Sequence, residues 1–150
     1  MGTLTLPATG LVYLDTQVLI YSVETHATFW PLLQPVWQEV RARAGTIELV
    51  SSELTLMESL VGPLRTGDTV MQTAYEQLFL SPEIRLLTIS QVVLREAARL
   101  RATIPALRTP DALHAATALV SGCVLFLSND AGFRRVPGLP LFVLSDLLIP

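Results

Sequence analysis

Five short runs of apolar, strand-type residues recur along the chain, separated mostly by segments of helical periodicity. The runs are LVYL (11–14), TIELVS (46–51), IRLLTI (84–89), CVLFLS (123–128) and LFVL (141–144). Between the first four lie TQVLIYSV (16–23), the stretch 25–44, ELTLMESLVG (53–62), TVMQTAYEQLFL (69–80), QVVLREAARLRAT (91–103) and TPDALHAATAL (109–119), and a short helix closes the chain. Strands that alternate with helices pair in parallel and carry helices on both faces of the sheet. The runs are apolar throughout rather than alternating, which fits strands covered on both sides. The expectation is an α/β fold: a three-layer α/β/α sandwich around a twisted, mainly parallel sheet of about five strands. In such sheets ligands bind beyond the carboxyl ends of the strands.

Local signals set the element ends. Asp15 ends the first strand, Ser51 or Ser52 caps the helix after the second, and Ser90 caps the helix after the third. Thr109 is read as the cap of the 109–119 helix, with Pro110 in the favoured first position and Gly122 as its stop. In the 25–44 segment, Trp30, Leu33, Val36, Trp37 and Val40 share one face; Pro31 suits an early turn, Pro35 marks a break or kink, and Gly45 closes the helix.

A chain of 150 residues suffices for one domain with a real core, and no linker, repeat or low-complexity tract divides residues 1–150. No apolar run approaches the ~18 residues that span a bilayer, and the amino terminus lacks a signal-peptide pattern, so a cytoplasmic protein is expected. With 51% hydrophobic residues, an apolar surface covered by a partner is also expected. The net charge of −3 does not advertise nucleic-acid binding, yet all ten basic residues are arginine, which pairs bidentately with phosphate. Composition bias explains the absence of lysine equally simply. Cys123 stands alone within apolar neighbours and reads as a buried structural thiol.

Four acids stand where a parallel sheet exposes its ligand-binding edge. Asp15 ends the first strand, Asp130 follows the fourth, and Asp111 lies in the first turn of an otherwise small and apolar helix. Glu58 sits one to two turns into its helix among Leu54, Leu56, Leu60 and Val61, where an unpaired carboxylate is costly. Each has an ordinary explanation alone, as a cap, a turn residue or a charge at a helix amino terminus. Together they have one explanation: they converge, repel, and are relieved by a cation. No basic residue directly flanks Asp15, Glu58 or Asp111, and no His/Cys set suits zinc. Mg²⁺ or Mn²⁺ is the fitting ion, and in an open carboxylate site it activates water and stabilises charge on a phosphoryl oxygen. Thr16 and Ser128 place hydroxyls beside Asp15 and Asp130, where they either support the site or cap local turns.

The segments YLDTQVLIY (13–21), SSELTLMESLVGPLRTGD (51–68), TPDALHAATAL (109–119) and LSNDAGFRRVPGL (128–139) resemble, in order and spacing, the PIN-domain ribonucleases, in particular VapC-type toxins of toxin–antitoxin pairs. The resemblance implies a Mg²⁺- or Mn²⁺-dependent endoribonuclease whose acidic quartet is Asp15, Glu58, Asp111 and Asp130, with Ser128 near the metal. It also implies a homodimer and a small antitoxin that threads a segment across the acidic pocket.

Several residues keep two readings. His114, one turn after Asp111, is either a general base or, preferably, a partly buried residue behind the ligands. His26 reads as surface. Arg134 and Arg135 either grip RNA phosphates or pair with local acids. Trp30, Trp37, Leu32, Leu33 and the 69–80 helix serve an antitoxin groove, a dimer contact or simply the core. A phospho-acceptor signalling domain would want a lysine, and a haloacid-dehalogenase-type phosphatase would want an aspartate two residues after Asp15, where Gln17 stands. A non-catalytic RNA- or protein-binding module on the same fold is the remaining alternative.

Overall fold

The computed structural model describes residues 2–150. Five strands form one parallel sheet: β1 (Gly10–Leu14), β2 (Ile47–Ser52), β3 (Arg85–Leu87), β4 (Leu125–Ser128) and β5 (Leu141–Val143), in the order β3-β2-β1-β4-β5. The helices are α1 (Thr16–Val23), α2 (Trp30–Ala42), α3 (Glu53–Thr66), α4 (Thr69–Leu80), α5 (Gln91–Thr103) and α6 (Thr109–Val120). Two 3-10 turns, Ala131–Arg135 and Leu144–Leu148, follow β4 and β5. Among the described residues no helix is long and apolar enough to cross a membrane.

Alternating strand residues feed two cores, one on each face of the sheet. Val12, Leu14, Leu49 and Leu127 pack with Val18, Leu19, Leu33, Val36 and Trp37 of α1 and α2. Tyr13, Val50 and Phe126 point the other way, into Val93, Ala97, Leu100, Ala112, Ala115 and Ala116 of α5 and α6. The period-two geometry of a strand sends successive side chains to opposite faces, and here both faces are apolar.

The chain departs from the expected element ends in three places. The segment before α2 is a turn rather than helix: the ring Nδ1 of His26 accepts from the backbone N–H of Thr28 (3.2 Å) and of Phe29 (3.4 Å), so those groups need no helical partner. Pro35 does not interrupt α2; it lies on the exposed side, while Leu33, Val36 and Trp37 anchor the helix to the core. The cap of α6 is Arg108 with extended backbone, not Thr109, and no side chain caps it; Pro110 therefore takes the second position. Its carboxyl end is as expected: Gly122 (φ +68°) adopts the left-handed conformation, and the N–H groups of Gly122 and Cys123 close onto Leu119 and Ala118.

Trp30, Leu32, Leu33 and Trp37 resolve by position. Leu32, Leu33 and Trp37 are buried in the core, and Trp30 packs against it half-buried. Exposed apolar side chains include Leu56, Met57, Val61 and Leu64 on α3, Val70 and Leu80 on α4, and Val92 and Leu94 on α5. Cys123 is buried, and burial pushes its thiol up to about 11.

Candidate active site

The strand order creates the site. The chain runs from β1 outward through β2 to β3, then crosses back to place β4 on the other side of β1. Beyond the β1 and β4 carboxyl ends the connections diverge, which leaves a crevice at this switch point. Asp15 stands at the end of β1, where its N–H still bonds Leu127 of β4 (2.9 Å). Ser128, Asn129 and Asp130 continue β4 across from it. Helix α3 brings Glu58 from the β2 side. Helix α6 runs back toward β4, so its first turn carries Asp111 to the same edge. All four acids, with Thr16, Gln17, Ile20, Tyr21, Arg108, His114 and Asn129, line one cavity of about 360 Å³. A larger cleft of about 630 Å³ opens at the opposite ends of the strands; its acids Glu48 and Glu83 are paired with Arg85 and Arg41.

The acids differ in how they are held. Asp15, its side chain only 13% exposed, accepts from the Thr16 N–H (2.9 Å) and from the Ser128 hydroxyl (2.9 Å). Ser128 in turn accepts from the Asp130 N–H (3.0 Å), so one buried hydroxyl ties two strand-end acids together. Burial pushes the Asp15 carboxyl above its ordinary value; His114 and these hydrogen bonds oppose the rise, and the charge of Glu58 adds to it. Glu58 accepts from Thr16 (2.8 Å) and meets His114 Nε2 at 2.6 Å. Burial alone would raise Glu58, but the His114 hydrogen bond and charge, the Thr16 hydroxyl and the Arg108 charge bring it below the usual carboxylate value. Asp111 is 21% exposed and receives the Arg108 Nε–H at 3.2 Å, while Asp130 is exposed and caps its 3-10 turn through Gly132 N–H (2.8 Å).

Two features of the site, a cation at the rim and a chain of hydroxyls beneath His114, were not anticipated. Arg108 supplies a cation at the rim, three residues before Asp111, although none directly flanks the acids; its guanidinium is 77% exposed, so it screens rather than fills the cluster. His114 is buried among the acids: besides Glu58 it touches Thr16 (3.3 Å) and lies 3.9 Å from Asp15. Beneath it, the Thr16 hydroxyl lies 3.0 Å from Thr55, which bonds Ser51 (2.7 Å), which donates to the Leu14 carbonyl (2.6 Å). The sequence signal for that chain was a pair of hydroxyl residues four apart, Ser51 near the end of β2 and Thr55 in the first turn of α3. Arg134 and Arg135 do not line the cavity: Arg134 pairs with Asp146 (2.6 Å) and Arg135 donates to the Gly132 carbonyl (3.1 Å).

The donor set suits a hard divalent cation in kind. It offers carboxylate oxygens and no thiolate, and its one imidazole is turned toward Glu58. Among the described residues, no three His, Cys, Asp or Glu side chains are drawn into a ready-made cage. Instead the acids ring an open cavity. An open carboxylate ring of this type leaves room for the waters that Mg²⁺ retains.

No curated protein matches the chain by sequence. Solved structures do match its fold. A chain of VapBC2 from Rickettsia felis, bound to a promoter DNA fragment, superposes with a TM-score of 0.70 at 18% identity, covering 89% of this chain and 98% of that one. VapC20 of Mycobacterium tuberculosis, a toxin that cleaves the sarcin–ricin loop, gives 0.69 at 14% identity over 86% and 97%. DNA-bound VapBC of Salmonella typhimurium gives 0.68 at 17% identity over 91% and 98%. The PIN-domain family model matches residues 12–139, nearly the whole span from β1 to the turn before β5, and the chain therefore belongs to the PIN-domain family.

Proposed function

We propose that this protein is a Mg²⁺- or Mn²⁺-dependent endoribonuclease, the toxin of a toxin–antitoxin pair acting in the cytoplasm. The observation that carries the reading is the convergence of Asp15, Glu58, Asp111 and Asp130, from four separated segments, on one cavity at the switch point of the sheet. Membership of the PIN family and structural likeness to VapBC proteins support the same reading. By that likeness, the partners are an RNA substrate, a small cognate antitoxin and a second copy of the chain.

Asp15, Asp111 and Asp130 would hold the cation, and Glu58 either joins them or orients the attacking water. When bound, the ion supplies Lewis-acid stabilisation of phosphoryl charge and activation of water. Ser128 and the Thr16 N–H fix both oxygens of Asp15, and Thr16 and His114 fix one oxygen of Glu58. Pre-set ligands of this kind cost no reorganisation when substrate arrives. Arg108, exposed at the rim, is the cavity's one arginine and is placed to meet an RNA phosphate. With water as nucleophile, the products carry 5′-phosphate and 3′-hydroxyl ends.

Cleavage of RNA should require Mg²⁺ or Mn²⁺ and stop in excess EDTA. Asp15→Asn should abolish cleavage while the circular dichroism spectrum stays unchanged. Equal cutting in EDTA, or undiminished cutting by Asp15→Asn, would refute the assignment. RNA binding without cleavage by the metal-loaded wild type would favour the non-catalytic module.

A further inference from the structure

Tyr13 is wholly buried in β1, its ring stacked on Phe126 (centroids 4.8 Å apart), and its hydroxyl lies 2.6 Å from Nδ1 of His114. The opposite ring nitrogen, Nε2, lies 2.6 Å from Oε1 of Glu58. A carboxylate oxygen only accepts, so Nε2 must carry a proton. In the neutral ring Nδ1 is then bare, and the Tyr13 hydroxyl lies at donating distance from it.

We infer that Tyr13 and His114 are a positioning pair: Tyr13 O–H donates to Nδ1, locks the His114 ring with its proton on Nε2, and that N–H holds Oε1 of Glu58. The arrangement leaves Oε2 of Glu58 without a protein partner among the described residues and available to the cavity. The inference rests on the metal-dependent reading of this site and deepens it. His114 touches neither substrate nor reacting atoms in this role; it acts through Glu58. Residues that orient a ligand from behind are typically worth about 10–100-fold in metal affinity. The pair also explains a histidine among the small buried residues of α6, since an apolar residue there would leave Tyr13 without this partner and Glu58 with Thr16 alone.

Two measurements test it. The chain has two histidines, so ¹⁵N-imidazole NMR of the metal-free wild type beside His26→Gln assigns the His114 signals by subtraction. The expected pattern is a protonated Nε2 and an accepting Nδ1; the opposite tautomer, or protons on both nitrogens, overturns the inference. Second, Mn²⁺ binding is measured by calorimetry on wild type and Tyr13→Phe, a substitution that keeps the ring and removes only the hydroxyl. Affinity should fall about tenfold or more. Wild type that binds Mn²⁺ and a Tyr13→Phe variant that binds it equally well would overturn the positioning role alone. Wild type that binds no Mn²⁺ would overturn the metal reading and the role together.

Discussion

Ser128 is wholly buried, donates to Asp15 and accepts from the Asp130 N–H, so Ser128→Ala removes two bonds with one atom. A hydrogen bond to a charged group contributes about 1.5–3 kcal/mol, and a neutral one about 1 kcal/mol. The expected loss is therefore about 3 kcal/mol at neutral pH, or roughly 6–12 °C in Tm for a domain of this size. The loss should depend on pH, and the sign follows from Asp15. Burial raises its folded carboxyl above the unfolded value. The metal-free fold is thus unburdened below the unfolded value and loses stability as pH rises through the folded one. Ser128 opposes that rise, so its removal costs most where Asp15 is ionised and least where it is neutral. Thermal melts in EDTA, from about pH 4 to about pH 8, should show the gap between variant and wild type widening with pH. A gap that is flat across that range, or below about 1 kcal/mol throughout, would refute the claim that Ser128 serves a buried carboxylate.

Other expectations are simpler. Asp15→Asn should melt above wild type in EDTA at neutral pH, because the buried charge is gone, and the difference should close on acidification; a lower melting point would contradict the burial argument. Gly10→Ala should lose about 1–3 kcal/mol in urea titration, since Gly10 has φ +116° and an added Cβ would lie 2.9 Å from Val124 Cγ2. Trp37→Phe removes the indole bond to Ser22 (2.9 Å) from the packed core and should cost about 2 kcal/mol. Arg108→Ala should change stability by less than about 0.5 kcal/mol, because its pair with Asp111 is largely exposed; a bigger drop in denaturant titration would mean the guanidinium holds the cavity together.

The alternation of apolar runs with helical segments was enough to read the parallel sheet, because the central strands β1 and β4 bury apolar residues on both faces. Asp15, Glu58, Asp111 and Asp130 were visible because acids are conspicuous on apolar elements and at strand ends. What surrounds them was not visible. The bonds of His114 to Tyr13 and Glu58 join residues 101 and 56 positions apart, beyond anything local spacing encodes. The turn before α2 was misread as helix because the helical spacing of Trp30, Leu33, Val36, Trp37 and Val40 was carried back to residue 25. Within that turn Phe29 instead stacks on Tyr21 (4.6 Å between centroids). Arg108 was overlooked because only immediate neighbours of the acids were considered, whereas a helix brings residues three apart onto one side.

The outermost strands β3 and β5 are three residues each. A half-apolar polypeptide is a natural candidate for edge-to-edge polymerisation, in which one sheet templates the next through unsatisfied amides. Margins this brief expose too few such groups to seed a growing ladder. In the folded molecule these short margins therefore disfavour pairing of one sheet with the next.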